Sequence, residues 1–328
     1  MCTGIVILNY NNIEDTLNCV DSVNKYNTAS IKIVIVDNGS EIKKFELLKE
    51  CLKNLYNNDF VEVFADIEKT VLKRCSLVRS NRNLGYACGN NIGIDLLKKD
   101  PTIKQLMILN NDILFVEDII PRLSLLLEED PKIGIVSPLL YKKNLLSIDY
   151  NCARKRSTYK DIIKWLWSDV PFALFHRSLD ANKIFKLNPE LLEKNRVEIE
   201  LPSGSCMLML KETAYKIKLF NPNTFLYYEE NILYEEELRS GFRNFIVPSL
   251  SCIHLGASST KTKTSKFLIK CSKNSMHYFL SNYFNLSPVR KSFLEVSFFW
   301  YVFSHRLLDG LIFLSKKSKR LYQTLVLF

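Results

Sequence analysis

Residues 4–8 (GIVIL) and 31–36 (IKIVIV) are short, uninterrupted apolar runs rich in β-branched side chains. Uninterrupted rather than alternating runs are what parallel strands need when both faces of their sheet are covered. Parallel neighbours require a long crossover, and the stretch between the runs supplies one: Ile13, Leu17, Val20 and Val23 recur at helical spacing, with Asn11 and Asn12 available as caps. The pattern then repeats. It predicts a helix near 42–54, a strand ending near Val78, a helix from about Asn90 to Lys98, a strand from Gln105 to Leu109 and a helix from Glu117 to Glu128. The expected fold is an α/β sandwich around a mainly parallel sheet.

The 328 residues, 47% hydrophobic and 24% charged, suit one large domain or two small ones. Met1–Leu8 lack a basic leader and break at Asn9, so they read as a buried strand, and the chain is expected to stay in the cytoplasm. Nine cysteines without a Cys-x-x-Cys pair exclude a zinc knuckle and a disulfide framework. Residues 141–199, with Trp165 and Trp167, are less periodic and read as a variable excursion; beyond them lie a strand from Met207 to Leu210, a Glu-rich helix around 230–240 and short strands up to His254.

The charge is localised. From Lys261 to Phe328 twelve Lys and Arg face only Glu295 and Asp309, so this segment carries the whole net charge of +10. Its stretch from Phe293 to Leu314 is about a bilayer wide but is interrupted by Glu295, His305, Arg306 and Asp309, which favours helices lying in a membrane interface over a span. A helix pair packed on the main domain is the plainer alternative. No RNA-binding motif accompanies the charge, so nucleic acid is not an expected partner.

In open α/β sheets ligands sit beyond the carboxyl ends of the strands, which directs attention to Asn9–Asn12, Asp37–Ser40 and Asn110–Asp112. Asp37, followed by Asn38, Gly39 and Ser40, can accept from a base N–H or a ribose hydroxyl, or can simply close a turn. The segment Asn83, Gly85, Tyr86, Gly89, Asn90, Asn91, Gly93 spaces glycines by four, which lets backbone approach a phosphate or a neighbouring helix. Asp112 beside the amides of Asn110 and Asn111 suits a hard cation or an Asn-rich turn. Glu229 and Glu230 open a helix after Phe225, Tyr227 and Tyr228; capping explains some acid there, though not an adjacent pair beside aromatics. His254 suits a metal ligand, a phosphate donor or a structural role.

In order, VILNYN, IVIVDNGS, NRNLGYACGNNIGI, LMILNNDI, LPSGSCMLML, FLYYEEN with RSGF behind it, and CIHLGASS resemble the family 2 glycosyltransferases of the GT-A fold, closest to their rhamnosyltransferase-like bacterial branch, over about residues 3–260. The resemblance implies a GT-A catalytic domain over 1–260, with a nucleotide-sugar half (1–115) and an acceptor half (116–260); beyond it, charge and aromatic content predict a basic, helical membrane-associated tail over 261–328. The resemblance also implies that Asn9, Asn11, Asp37, Asn38, Ser40, Asn83, Gly85, Asn90, Asn110, Asn111 and Gly204 line the donor site, that Asp112 and His254 hold Mg²⁺ or Mn²⁺, and that Glu230, beside Glu229, is the catalytic base. The first Asp of the family's D-x-D is replaced by Asn110. The implied partners are a nucleoside-diphosphate sugar and a saccharide or lipid-linked acceptor; the basic tail adds an anionic membrane surface as an expected partner, on the inner face of the cell membrane. A nucleotidyltransferase is disfavoured because no Gly- and Arg-rich triphosphate loop follows the first strand. A catalytically degenerate nucleotide-sugar binder is the remaining alternative.

Overall fold

The computed structural model describes residues 1–63, 71–144, 147–174, 185–256 and 265–325. The expected boundary at 260, residues 257–259 of the CIHLGASS motif, and Lys261 and Lys263 lie outside them. The first half runs β1 (Cys2–Asn9), α1 (Ile13–Tyr26), β2 (Ser30–Asp37), α2 (Ile42–Tyr56), β3 (Phe60–Val63), β4 (Cys75–Arg79), α3 (Gly85–Lys99), β5 (Ile103–Asn110), β6 (Ile113–Phe115), α4 (Ile120–Glu129) and β7 (Ile133–Lys142). It continues through β8 (Ala153–Arg154), α5 (Tyr159–Leu174), α6 (Pro189–Leu192), β9 (Val197–Ile199), β10 (Leu201–Pro202), β11 (Cys206–Leu210), α7 (Lys211–Lys216), α8 (Glu229–Arg239), β12 (Arg243–His254), α9 (Ser265–Tyr283) and α10 (Pro288–Leu325).

Among the described residues one ten-stranded sheet has the order β3-β4-β2-β1-β5-β11-β7-β12-β6, with β9 added on β12; β8 and β10 form a separate pair. The β3, β4, β2, β1 and β5 side is parallel throughout, whereas β11 runs antiparallel to both β5 and β7. Side chains alternate across it. Ile5, Ile7, Ile33 and Ile35 join α1, α2 and α4 in one core, while Val6, Val34, Val36 and Ile108 join α3 and α7 in the other. That two-sided burial is why the strand sequences are apolar without interruption. The result is a GT-A-like α/β fold with a mixed, mostly parallel central sheet.

Several boundaries differ from the sequence expectation. Helix α3 begins at Gly85, not near Asn90, because its glycines are seats on the sheet rather than helix breakers: a Cβ on Gly93 would come within 2.6 Å of Val6 Cγ1. Strand β7 arises from the apolar run at 133–142. The expected short strands before His254 are one twelve-residue strand whose pairing with β7 slips between Val247 and Ser251, around Pro248, which lacks a ladder donor.

Two compact units divide the chain. The larger contains Met1–Arg156 and Ile184–Phe279, so most of α9 belongs with the sheet. The smaller contains Ser157–Lys183 and Leu280–Phe328. Within it Trp167 Nε1 donates to Ser297 Oγ at 2.9 Å, and Trp165 packs on Tyr301 with ring centroids 4.9 Å apart. Among the described residues no helix is long and apolar enough to cross a membrane.

Candidate active site

Strand register brings the polar strand ends together. Asn9 pairs with Asp37 across β1 and β2, and Leu8 pairs with Asn110 across β1 and β5. Asn9 Nδ2 donates to Asp37 Oδ1 at 2.8 Å, and the other Asp37 oxygen accepts from Ser40 N at 3.1 Å, with Arg79 Nε 3.6 Å away. Asn11, at φ 57°, donates its backbone N–H to Ser40 Oγ. Asp37 is therefore fully buried with both oxygens engaged inside the protein, and it fixes the turn at 37–40.

A second network closes the adjacent wall. Asn38 Nδ2 donates to Asn83 Oδ1 and Gly85 O, while Asn38 Oδ1 accepts from Leu84 N. Asn90 Nδ2 donates back to Tyr86 O, inside α3. Gly85 sits at φ 83°, and a Cβ there would lie 2.2 Å from Phe225 O, so only glycine permits the α3 start to dock on the segment leading into α8. Asn111 Nδ2 donates to Thr16 Oγ1, and Asn110 N to Ser205 O, which ties the β5 end to the loop before β11.

The acids lie beyond that loop. Glu230 Oε1 accepts from Gly204 N at 3.1 Å and pairs with Arg154 Nη2 at 3.2 Å; Tyr86 OH donates to Gly204 O at 2.7 Å. Glu230 keeps part of its side chain exposed. Glu229 is buried, its Oε1 has no hydrogen-bond partner, and burial first, then the adjacent Glu230, push its pKa up to about 8. The Tyr86 phenol is raised well above its ordinary value by burial first and then by the charges of Glu230, Glu229 and Asp112.

A family model described as "Glycosyl transferase family 2" matches residues 4–181, more than half of the chain. The chain belongs to glycosyl transferase family 2. The low-salt glycan biosynthesis hexosyltransferase Agl10 of Haloferax volcanii is 24% identical over 216 residues, and the match spans 62% of each chain. The crystal structure of GalNAc-T7 with UDP, GalNAc and Mn²⁺ superposes with a TM-score of 0.58 at 16% identity, covering 92% of this chain and 56% of that one. The likeness to GalNAc-T7 shows the fold.

Two residues past Asn110, this family 2 chain sets Asp112 against His254. The end of β12 pairs with β6, His254 opposite Ile113, and His254 Nε2 lies 3.4 Å from Asp112 Oδ2. The other ring nitrogen, Nδ1, is 2.7 Å from Asp149 Oδ2. Burial alone would lower the His254 pKa, but its bonds to Asp112 and Asp149 outweigh that and raise it to about 9. Asp112 Oδ1 is buried without a hydrogen-bond partner. A carboxylate oxygen with nothing to accept from, beside an imidazole, fits a hard divalent cation. Among the described residues no three His, Cys, Asp or Glu cluster as a complete ligand set, so phosphate oxygens and water would have to complete the shell.

Asp149 and Arg154 are site neighbours that the sequence did not single out, and Tyr86 stands out in it only as part of its glycine-spaced segment. Asp149 and Arg154 fall in the aperiodic 141–199 stretch, and each meets its partner more than 70 residues along the chain. No local pattern encodes such a pairing.

Proposed function

We propose that this family 2 protein is an inverting glycosyltransferase. In this reading it moves a sugar, rhamnose among the candidates, from a uridine- or deoxythymidine-diphosphate donor to a hydroxyl of a saccharide or lipid-linked saccharide in cell-surface polysaccharide synthesis. The observation that carries the proposal is the turn at 203–205: Gly204 holds both Glu230 and Tyr86, Ser205 O holds Asn110 N two residues before Asp112, and Asp112 lies against His254. Glu230, held at Oε1 by Gly204 N–H and Arg154, takes the proton from the acceptor hydroxyl. The acceptor oxygen forms its bond to the anomeric carbon as the bond to the diphosphate breaks, and attack from the opposite face inverts the centre, as in single-displacement glycoside chemistry. Asp112 and His254 would hold Mg²⁺ or Mn²⁺, which when bound neutralises charge developing on the diphosphate. Burial disfavours the charged form of Glu229 and pushes its pKa up to about 8, so the role of proton acceptor is assigned to the partly exposed Glu230.

The proposed place of action is the inner face of a membrane. Val289, Phe293, Val296, Phe299, Phe303 and Leu307 are exposed on α10 at steps of three or four, in the segment that carries the +10 charge.

The second reading, a nucleotide-sugar binder without turnover, draws on Asn110 in place of a carboxylate. Incubating the protein with a panel of nucleotide sugars and a saccharide acceptor separates the two. Release of the nucleoside diphosphate, with a product whose anomeric proton coupling is opposite to the donor's, is expected. Binding of a donor without release favours the second reading.

A further inference from the structure

The proposed chemistry uses one face of His254 and leaves the other unexplained. We propose that Asp149 is a positioning residue for the cation site: by holding Nδ1 of His254 it leaves Nε2 as the ring nitrogen offered beside Asp112. This rests on the metal-assisted reading above.

A cation at Nε2 takes the place of the proton that the two carboxylates favour there, and the neutral imidazole that remains has one lone pair, placed by the partner of the other nitrogen. Asp149 Oδ2, 2.7 Å from Nδ1, is an acceptor when ionised and so keeps the proton on Nδ1. Asp149 is not free to follow the ring. It is buried, its Oδ1 accepts from Asn151 N at 3.1 Å, its N–H donates to Leu140 O at 2.8 Å, and its carbonyl accepts from Cys152 N at 3.0 Å. One edge of the ring is thus anchored to the β7 side of the sheet. Across the ring, Leu255 N donates to Asp112 O at 2.9 Å, which ties the backbone beyond His254 to the residue it faces. Nε2 and the Asp112 carboxylate, with its unpartnered Oδ1, are then the two protein donors presented together. Carboxylates placed behind a ligating histidine fix its tautomer and orientation, and losing one weakens metal binding by about 10- to 100-fold.

The test is a titration of the full chain with Mn²⁺, alone and with UDP, followed by electron paramagnetic resonance, with the melting temperature recorded in parallel. Asp149→Leu is expected to weaken Mn²⁺ binding by about 10- to 100-fold. Asp149→Asn, whose side-chain oxygen still accepts from Nδ1–H, is expected to retain most of the affinity. Nitrogen-15 spectra are expected to show His254 protonated at Nδ1 in wild type plus diamagnetic Mg²⁺, and a tautomer mixture in Asp149→Leu. Wild-type affinity in Asp149→Leu, with affinity lost in Asp112→Asn and His254→Ala, overturns the positioning role alone. Wild-type affinity in all three, or no Mn²⁺ binding by the wild type, overturns the metal reading with it. An equal loss in Asp149→Asn and Asp149→Leu makes charge, not orientation, the contribution and also overturns the proposal.

Discussion

Glu229 and Glu230 are adjacent in sequence and opposite in surroundings. Glu230 is partly exposed and ion-paired to Arg154, whereas Glu229 is buried with its pKa at about 8. Removing the guanidinium leaves Glu230 with the Gly204 N–H alone at Oε1, so Arg154→Ala is expected to lower the transfer rate by about 10-fold or more with donor affinity nearly unchanged, as steady-state kinetics would read. Buried acids also set the pH dependence of stability. Glu237, fully buried and hydrogen-bonded by Asn244 Nδ2, is likewise pushed up to about 8, chiefly by burial. A carboxyl whose folded pKa is raised stabilises the fold fully below its ordinary pKa of about 4.5, and that contribution is lost as pH rises towards 8. Glu237→Gln, which cannot ionise, is expected to melt several degrees above wild type at pH 9 and to lose this advantage at pH 5, as thermal melts at the two pH values would show. A melting difference independent of pH would mean that Glu237 does not titrate in this window.

The elements that present the acids reach beyond the sheet. Tyr227 and Tyr228 both have positive φ, 75° and 68°, a conformation aromatic residues seldom adopt. Helix α9 backs this turn: Ser275 Oγ donates to Leu226 O, Phe267 packs edge-on against Phe225, and Phe279 packs on Tyr228. Phe279 is fully buried, so Phe279→Ala is expected to cost about 3–5 kcal/mol in denaturant melts and to lower turnover more than donor binding. This dependence explains what the sequence did and did not make legible. The apolar runs at 4–8 and 31–36 encode their strands because burial on both faces leaves a local signature, and Asn9, Asp37 and Asn110 follow from them as strand ends. Helix α9 carries no such mark of its role, since its contacts to 225–228 lie 40 residues or more along the chain. Gly85, Gly89 and Gly93 were visible as a spacing, but what they approach, Phe225 O and the β1 side chains Leu8 and Val6, is a tertiary fact.

For the whole molecule, the α10 residues divide between packing and exposure. Leu294 and Phe298 are buried, while Val289 and Phe299 are more than 70% exposed on another face of the same helix. If that face meets an anionic leaflet, each basic residue nearing the surface adds roughly 1 kcal/mol and the apolar side chains supply the rest. The intact protein is expected to float with vesicles containing anionic lipid and less so as salt rises, and the Phe299→Ser/Phe303→Ser double variant to remain behind while keeping its turnover of donor. Flotation unchanged by the double variant would leave charge alone as the attachment. The proposed sugar transfer depends above all on Glu230 as the base. Its most direct test is donor turnover by wild type and Glu230→Gln measured beside donor binding by thermal shift, since binding to the native state raises the melting temperature. Glu230→Gln is expected to be stabilised by the same nucleotide sugar as the wild type yet to release no nucleoside diphosphate in the presence of an acceptor; turnover at the wild-type rate by Glu230→Gln would rule out Glu230 as the base.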